Sequence, residues 1–220
     1  METTRRYAGA TAEARKAERY ERLLEAAFDV YGRDGVRKTT MRIICAQARL
    51  TERYFYEHFN ALDEVFVAVH QRTSTQVGLA VMTASQACQG SPVEQTRAGL
   101  RAFFEFIKSD RRRGQILLLD AASQGMTLPN HLNQQLTLFA KVVSARIQNK
   151  YPNMGDKAIP ELIVGGITGL IIHAATMWML RDFDWSVEAM VDHTAYAWTG
   201  LHQWLKTAQA EAASPLGSTL

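Results

Sequence analysis

The chain has 220 residues, 47% of them apolar and 21% charged, and a formal net charge of +3. That balance can bury a sizeable core and excludes wholesale disorder or a low-complexity fibre. Its two cysteines, Cys45 and Cys88, lack CxxC spacing and so exclude a disulfide scaffold or a zinc finger, and METTRRYAGATAEARKAERY lacks a secretory apolar core; the expectation is a cytoplasmic protein.

Residues 1–60 hold twelve Lys/Arg against nine Asp/Glu, while residues 61–220 hold thirteen of each. The whole positive excess therefore falls at the N-terminal end, where an anionic partner would be met. Residues 1–10 have no periodicity and read as a flexible arm carrying Arg5 and Arg6, which either reaches a minor groove or touches nothing. Thr11 reads as the N-cap of a long helix to about Asp34, because Leu23, Leu24, Ala27, Phe28 and Tyr31 recur on one face and Gly35 follows.

Residues 39–59, TTMRIICAQARLTERYFYEHF, read as two short helices and a tight turn. In the first, Met41, Ile44, Cys45 and Ala48 form an inward stripe, with Cys45 as a small hydrophobe at a close crossing. Thr51 is the expected N-cap of the second, and Phe55 and Phe59, four apart, share its buried side. At a hundred degrees per residue, Arg53 and Glu57 lie opposite, with Glu52 and Tyr56 on one flank and Tyr54 and His58 on the other. Such a row suits a helix that presents hydrogen-bonding groups to base edges and phosphates together.

Asn60-Ala-Leu-Asp reads as an N-cap opening a fourth helix to about Cys88, buried through Val65, Phe66, Val69, Val77 and Val81. Ser91-Pro-Val-Glu is a serine cap with proline first and glutamate third, starting an amphipathic helix through Leu100, Phe103, Phe104 and Ile107. Arg111-Arg112-Arg113, beside Asp110, reads as a solvated connection rather than a second nucleic-acid patch. Ile116 to Ala122 predicts a short apolar helix broken near Gly125 and Pro129. Another, from Asn130 to Lys150, carries Leu132, Leu136, Phe139, Val142, Val143 and Ile147 and ends at Tyr151-Pro-Asn-Met-Gly.

Leu162 to Leu180 carries no charge over nineteen residues and is long enough to cross a bilayer. His173, Thr168, Thr176, three glycines and no flanking cationic cluster weigh against that, and the expectation is a helix buried on all sides. Gly165 and Gly169 leave a groove for a neighbouring helix. Ser186 caps a last helix lined by Met190, Val191, Thr194, Ala197, Trp198, Leu201 and Leu205, before a disordered tail over 213–220. Two such apolar helices exceed what one body buries, which predicts pairing with a second copy as a four-helix interface.

Residues 39–59 resemble, without a gap, the helix-turn-helix of the TetR family of bacterial repressors, whose usual run is Thr-Thr-Val-Arg-x-Ile-Ala-x-x-Ala-Gly-Val-Ser-x-x-x-Leu-Tyr-x-Tyr/His-Phe. Thr39, Thr40, Arg42, Ile44, Ala48, Tyr56, His58 and Phe59 match, and Met41, Cys45, Leu50, Thr51 and Phe55 are like-for-like replacements. The resemblance implies an all-α fold: a three-helix DNA-binding head over residues 1–59, then a larger ligand-binding and dimerisation body over 60–212. It implies DNA contacts from Arg42, Thr51, Tyr54, Tyr56 and His58, to which Thr40, Glu52 and Arg53 are added as further candidates, and dimerisation through the last two long helices. Two positions depart from the pattern. Arg49 replaces the turn glycine, where positive φ costs about 1 to 2 kcal/mol. Leu62 replaces a phosphate-holding lysine, leaving the helix start at Asn60 to serve instead.

The function expected is a ligand-responsive transcription regulator that binds a near-palindromic operator as a homodimer and represses. Phe103, Phe104, Leu117, Met126, Phe139, His173, Met177 and Trp178 are candidates to line a cavity for a small apolar or amphipathic ligand. A buried His173 would need either that ligand or a backbone carbonyl as its partner. No GxSxG, P-loop, GxGxxG or HExxH occurs, and Asp192, His193 and His202 do not share a helical face, so neither an enzyme nor a cofactor or metal site is expected. The competing readings are a single-pass membrane protein anchored by 162–180, a helical enzyme, and a helical dimer that has lost DNA binding.

Overall fold

In a computed structural model, residues 11–121, 144 and 161–213 are described, and all their regular elements are helical. The expected arm over 1–10, the helix over 130–150 apart from Ser144, which is helical, and Met126 and Phe139 lie outside these residues, as does the expected tail apart from its first residue, Ala213, which is helical. The chain forms two compact units, one up to Val69 and one from His70.

In the first unit, α1 runs Ala12–Asp34. The Thr11 hydroxyl accepts from the Ala14 N–H at 3.1 Å, and Gly35 ends the helix at φ 79°, which glycine adopts without strain. Leu23, Leu24, Ala27, Val30 and Tyr31 bury its inner face. A single 3₁₀ turn, Val36–Lys38, leads to α2 (Met41–Ala48), whose N-cap is Thr40. Then come α3 (Glu52–Tyr56) and α4 (Leu62–Ala87).

The first unit takes in Leu62–Val69, beyond the boundary expected at residue 59. Packing is the reason: Val65, Phe66 and Val69 are buried, the Tyr31 and Phe66 rings meet edge to face at 5.6 Å, and the Tyr31 hydroxyl donates to the Leu62 carbonyl.

The expected cap at Asn60 is displaced. Helix α4 starts at Leu62, and the Asn60 backbone N–H and side-chain amide both donate to the Glu64 carboxylate, at 2.8 and 3.1 Å. Those bonds hold the Glu64 carboxyl below its usual range. Asn60, at the expected phosphate-holding start, thus directs its own donors to a carboxylate.

In the second unit, α5 (Pro92–Ser109) begins with the expected capping box between Ser91 and Glu94. Helix α6 (Arg111–Gly114) passes into a π-helical stretch, Gln115–Asp120, where a plain apolar helix was expected. Ile116, Leu118 and Asp120 are all buried, and the Gln115 amide donates to Asp120 at 2.9 Å. Each arginine of the 111–113 run is engaged within this unit: Arg111 with Asp182, Arg112 with Asp110, and Arg113 over the Phe106 ring at 4.2 Å.

The last described helices are α7 (Glu161–Leu180) and α8 (Val187–Ala213), with Ser186 accepting from the Ala189 N–H at the start of α8. Leu100, Phe104 and Ile107 of α5 share one core with Trp178 and Met179 of α7 and Val191, Trp198 and Leu205 of α8. Gly114 admits close packing there, since a Cβ would overlap the Met179 sulfur. The salt links Arg97–Asp192 and Arg101–Glu188 run along the α5–α8 seam.

The expectation that α7 is buried on all sides is corrected. It packs by one side, through Val164, Thr168, Ala175, Trp178 and Met179, and exposes Ile163, Leu170, His173, Met177 and Leu180. Ile163–Leu180 is long and apolar enough to cross a membrane by length and composition, with 28% of that window buried. One helix of this kind is not evidence of a membrane.

Two measurements follow from these backbones and burials. Arg49, the residue after α2, takes φ 54° and ψ 45°, with the Leu50 N–H closing onto the Cys45 carbonyl at 2.9 Å. This is the left-handed end of a Schellman turn, which strains any residue with a Cβ. Arg49→Gly is expected to raise stability by about 1 kcal/mol, read as a higher urea midpoint at unchanged slope.

Burial pushes the His70 imidazole down to about 4, so it folds neutral. Between about pH 6.5 and 4 the unfolded chain binds the extra proton. Stability is therefore whole above that window and falls as pH drops through it, by on the order of 3 kcal/mol. Urea unfolding at pH 7, 5.5 and 4.5 measures the slope, and His70→Gln should flatten it.

Candidate nucleic-acid interface

Helices α2 and α3 are each too short to hold a fold alone, and α1 supplies their backing. Phe55 is 1% exposed and Phe59 is 5% exposed, as their four-residue spacing predicts. Their rings meet at 5.8 Å, and Tyr20 of α1 stacks on Phe59 at 5.4 Å with an interplanar angle of 23°. This stack fixes which side of α3 faces inward.

Two arginines of α1 complete the backing. The Arg22 guanidinium donates to the Ala48 carbonyl at 2.6 Å and the Arg49 carbonyl at 3.3 Å, satisfying acceptors left free at the end of α2. Arg19 donates to the Glu57 carboxylate at 3.0 Å and lies over the Tyr54 ring, 4.6 Å from its centroid. Sequence reasoning missed Tyr20, Arg19 and Arg22. Their one signal was position: Arg19 and Arg22, three apart, border the stripe that holds Leu23 and Ala27.

The candidate contacts divide into two groups. Thr40, Arg42, Thr51, Glu52, Arg53 and Tyr56 are exposed. The Thr40 hydroxyl also accepts from the Ile43 N–H at 3.3 Å, a capping role the sequence reading did not give it. Thr51, expected to cap α3 with its hydroxyl, makes no such bond, which leaves that group outward. Arg42 pairs with Glu52 at 3.1 Å, and Arg53 with Glu57 at 3.7 Å.

Tyr54 and His58 are only half exposed. Tyr54 has one ring face under Arg19. His58 is turned further inward than the helical wheel predicts: its Nε2 is buried and unpartnered among the described residues, and its ring lies 5.5 Å from that of Tyr20. The cause is pitch. Regular α geometry ends at Tyr56, and the His58 N–H bonds to Phe55, three residues back, so the hundred-degree step fails there. Burial first, then the nearby Lys16 and Arg19 cations, push the His58 imidazole down. It therefore stands as a neutral packing group more than an outward donor.

The ligand candidates are also divided. Phe104 and Trp178 are buried with rings edge to face at 5.6 Å, and Phe103 and Leu117 are half-buried beside them. His173 and Met177 lie on the exposed side of α7, so the buried imidazole expected there is corrected. Asp192, His193 and His202 are engaged separately: Asp192 meets Arg97, the His193 ring lies tilted against Trp185, and His202 faces Thr96 from inside. Among the described residues no cluster of three or more His, Cys, Asp or Glu is placed to hold a metal.

Comparison with known proteins places this geometry. Residues 23–69 match the model of bacterial regulatory proteins of the tetR family, and so span α2, α3 and the second half of α1. The HTH-type transcriptional activator FasR of Mycolicibacterium smegmatis is 26% identical over 186 residues, 84% of this chain and 83% of that protein. A TetR-like transcriptional regulator from Rhodococcus sp. RHA1 superposes with a TM-score of 0.57 at 24% identity, covering 84% of this chain and 97% of that one. FadR of Bacillus subtilis, solved in complex with stearoyl-CoA, shares the fold with a TM-score of 0.67 at 15% identity, covering 80% and 96%. With its buried Phe55–Phe59 anchor, its exposed α2–α3 face and second-unit elements that are all helical among the described residues, the chain carries over residues 23–69 a segment that matches bacterial regulatory proteins of the tetR family, and it shares its fold with the solved TetR-like regulators.

Proposed function

We propose that this regulator binds a near-palindromic operator as a homodimer, represses from it, and is released by a small apolar or amphipathic molecule. The observation that carries the reading is the outward row of Thr40, Arg42, Thr51, Glu52, Arg53 and Tyr56, held from behind by Phe55 and Phe59. A rigid backing with a hydrogen-bonding front is what a major-groove helix requires.

The exposed side of α7 supports pairing with a second copy. Ile163, Leu170, Met177 and Leu180 lie along it, and Gly165, Gly166 and Gly169 leave open space where a neighbouring backbone can approach. His173 and Met177 fit that interface better than a cavity. Two copies related by a two-fold axis would present their reading helices one DNA turn or a multiple apart.

For the ligand, the aromatic group of buried Phe104 and Trp178 and half-buried Phe103 is the apolar wall such a molecule would need, and Leu117, Met126 and Phe139 remain its other proposed contacts. The complex of the Bacillus subtilis protein with stearoyl-CoA supports an amphipathic class. Helix α4 runs unbroken from the first unit into the second, and a ligand that favours one tilt of it would act through its different affinity for two states. A second reading, activation, is favoured by the name of the FasR relative.

Selection of bound sequences from random duplexes tests binding, symmetry and half-site spacing at once; an asymmetric single half-site would sink the dimer. Transcription in vitro from a promoter carrying the selected site separates repression from activation by its sign. Full-length chain that stays in solution without detergent rules out the membrane reading. Arg53→Ala is expected to cost about 1 to 3 kcal/mol of operator affinity and to relax choice at one base position. A loss equal on all sequences would show that Arg53 holds a phosphate.

A further inference from the structure

Every ion-paired arginine around the reading face is matched by a carboxylate on α3 or in the turn that follows it, and the two carboxylates concerned are held very differently. Glu57 is locked. Its side chain is 29% exposed, and it accepts from Arg19, which is 22% exposed and lies over the Tyr54 ring. Glu52, the first residue of α3, meets Arg42 of α2 at 3.1 Å with side chains 49% and 85% exposed. So exposed a pair is worth little to the fold and exchanges readily with a competitor. The obvious competitor for a guanidinium is a phosphate, which takes it with two parallel hydrogen bonds.

We infer that Glu52 is a specificity-determining residue that keeps Arg42 off the DNA backbone except on the correct sequence. The inference rests on the DNA-binding reading above. When Arg42 turns to a phosphate, Glu52 is left as an unpaired carboxylate at the mouth of the groove, among phosphates of its own sign. Only a donor on a base edge, the cytosine amino group above all, offsets that. On a duplex without such a donor in register, Arg42 stays with Glu52 and one phosphate contact is forfeited. The pair thus lowers affinity for the wrong DNA, a repulsive element of the kind that selective interfaces use.

The test is to titrate the full chain and its Glu52→Gln variant, over a range of salt, onto the selected operator and onto a duplex of unrelated sequence. Freeing Arg42 adds about one phosphate contact, so unrelated DNA should bind roughly five- to tenfold tighter near 0.1 M salt, with the log–log salt slope steeper by about 0.9. Operator affinity should stay level or fall, so discrimination narrows. In an Arg42→Met background the Glu52→Gln change should lose the added salt slope and act on unrelated DNA only as Asp63→Asn does, because the pair no longer exists.

Asp63→Asn removes a like charge from an exposed residue at the start of α4 that no contact ties to Arg42, and it should shift both duplexes by one factor. In the wild-type background Glu52→Gln behaving as Asp63→Asn does, or keeping its effect undiminished without Arg42, overturns the inference while leaving the DNA-binding reading intact. A wild-type chain that shifts neither duplex overturns both.

Discussion

The packing of Phe55 and Phe59 against α1 decides what the rest of the first unit can do. A five-residue helix has no stability of its own, and its orientation is set by whichever side is taken out of water. Two phenylalanines four apart, closed by Tyr20, bury that side and leave Glu52, Arg53 and Tyr56 outward. Burying two aromatic side chains contributes several kcal/mol, on the order of 2 to 3 each, far more than any ion pair on the opposite face. The apolar contact therefore fixes geometry, and the charged contacts adjust within it.

Around that anchor the polar contacts fall into layers. Arg22 answers carbonyls at the end of α2, a backbone need independent of DNA. Arg19, Glu57 and Tyr54 join α1 to the far end of α3. Outermost, Arg42 and Glu52 join α2 to the near end of α3 in full contact with solvent. Rigidity decreases outward, so the groups best placed to meet a ligand are also those freest to change partners. Arg49, held left-handed between the two helices, shows that the tight connection is maintained despite local strain.

Features set by neighbours in sequence were legible without coordinates. Thr11 and Gly35 bound α1, Ser91 and Glu94 open α5, and the Phe55/Phe59 spacing names a buried side, because each rests on residues within one helical turn. Contacts between distant segments were not legible. Arg19 and Glu57 are 38 residues apart, and no periodicity links them. Pitch was also invisible: the 3₁₀ step that turns His58 inward and the π stretch over Gln115–Asp120 both break the regular rotation a helical wheel assumes. An absence of charge was over-read at Leu162 to Leu180. Hydropathy reports that a helix is apolar all round, but not how many of its sides its own chain covers, and α7 covers one.

That half-covered helix bears on how much of the protein a cell must hold. Under the pairing proposed above, the free chain and its pair are in equilibrium, and below the midpoint the amount of pair rises with the square of total chain. Occupancy of a two-fold site would then respond to expression as a threshold instead of in proportion. A modest fall in copy number would empty the site without any small molecule being present. The apolar stripe of Ile163, Leu170, Met177 and Leu180 would in that way make abundance itself an input to the regulator.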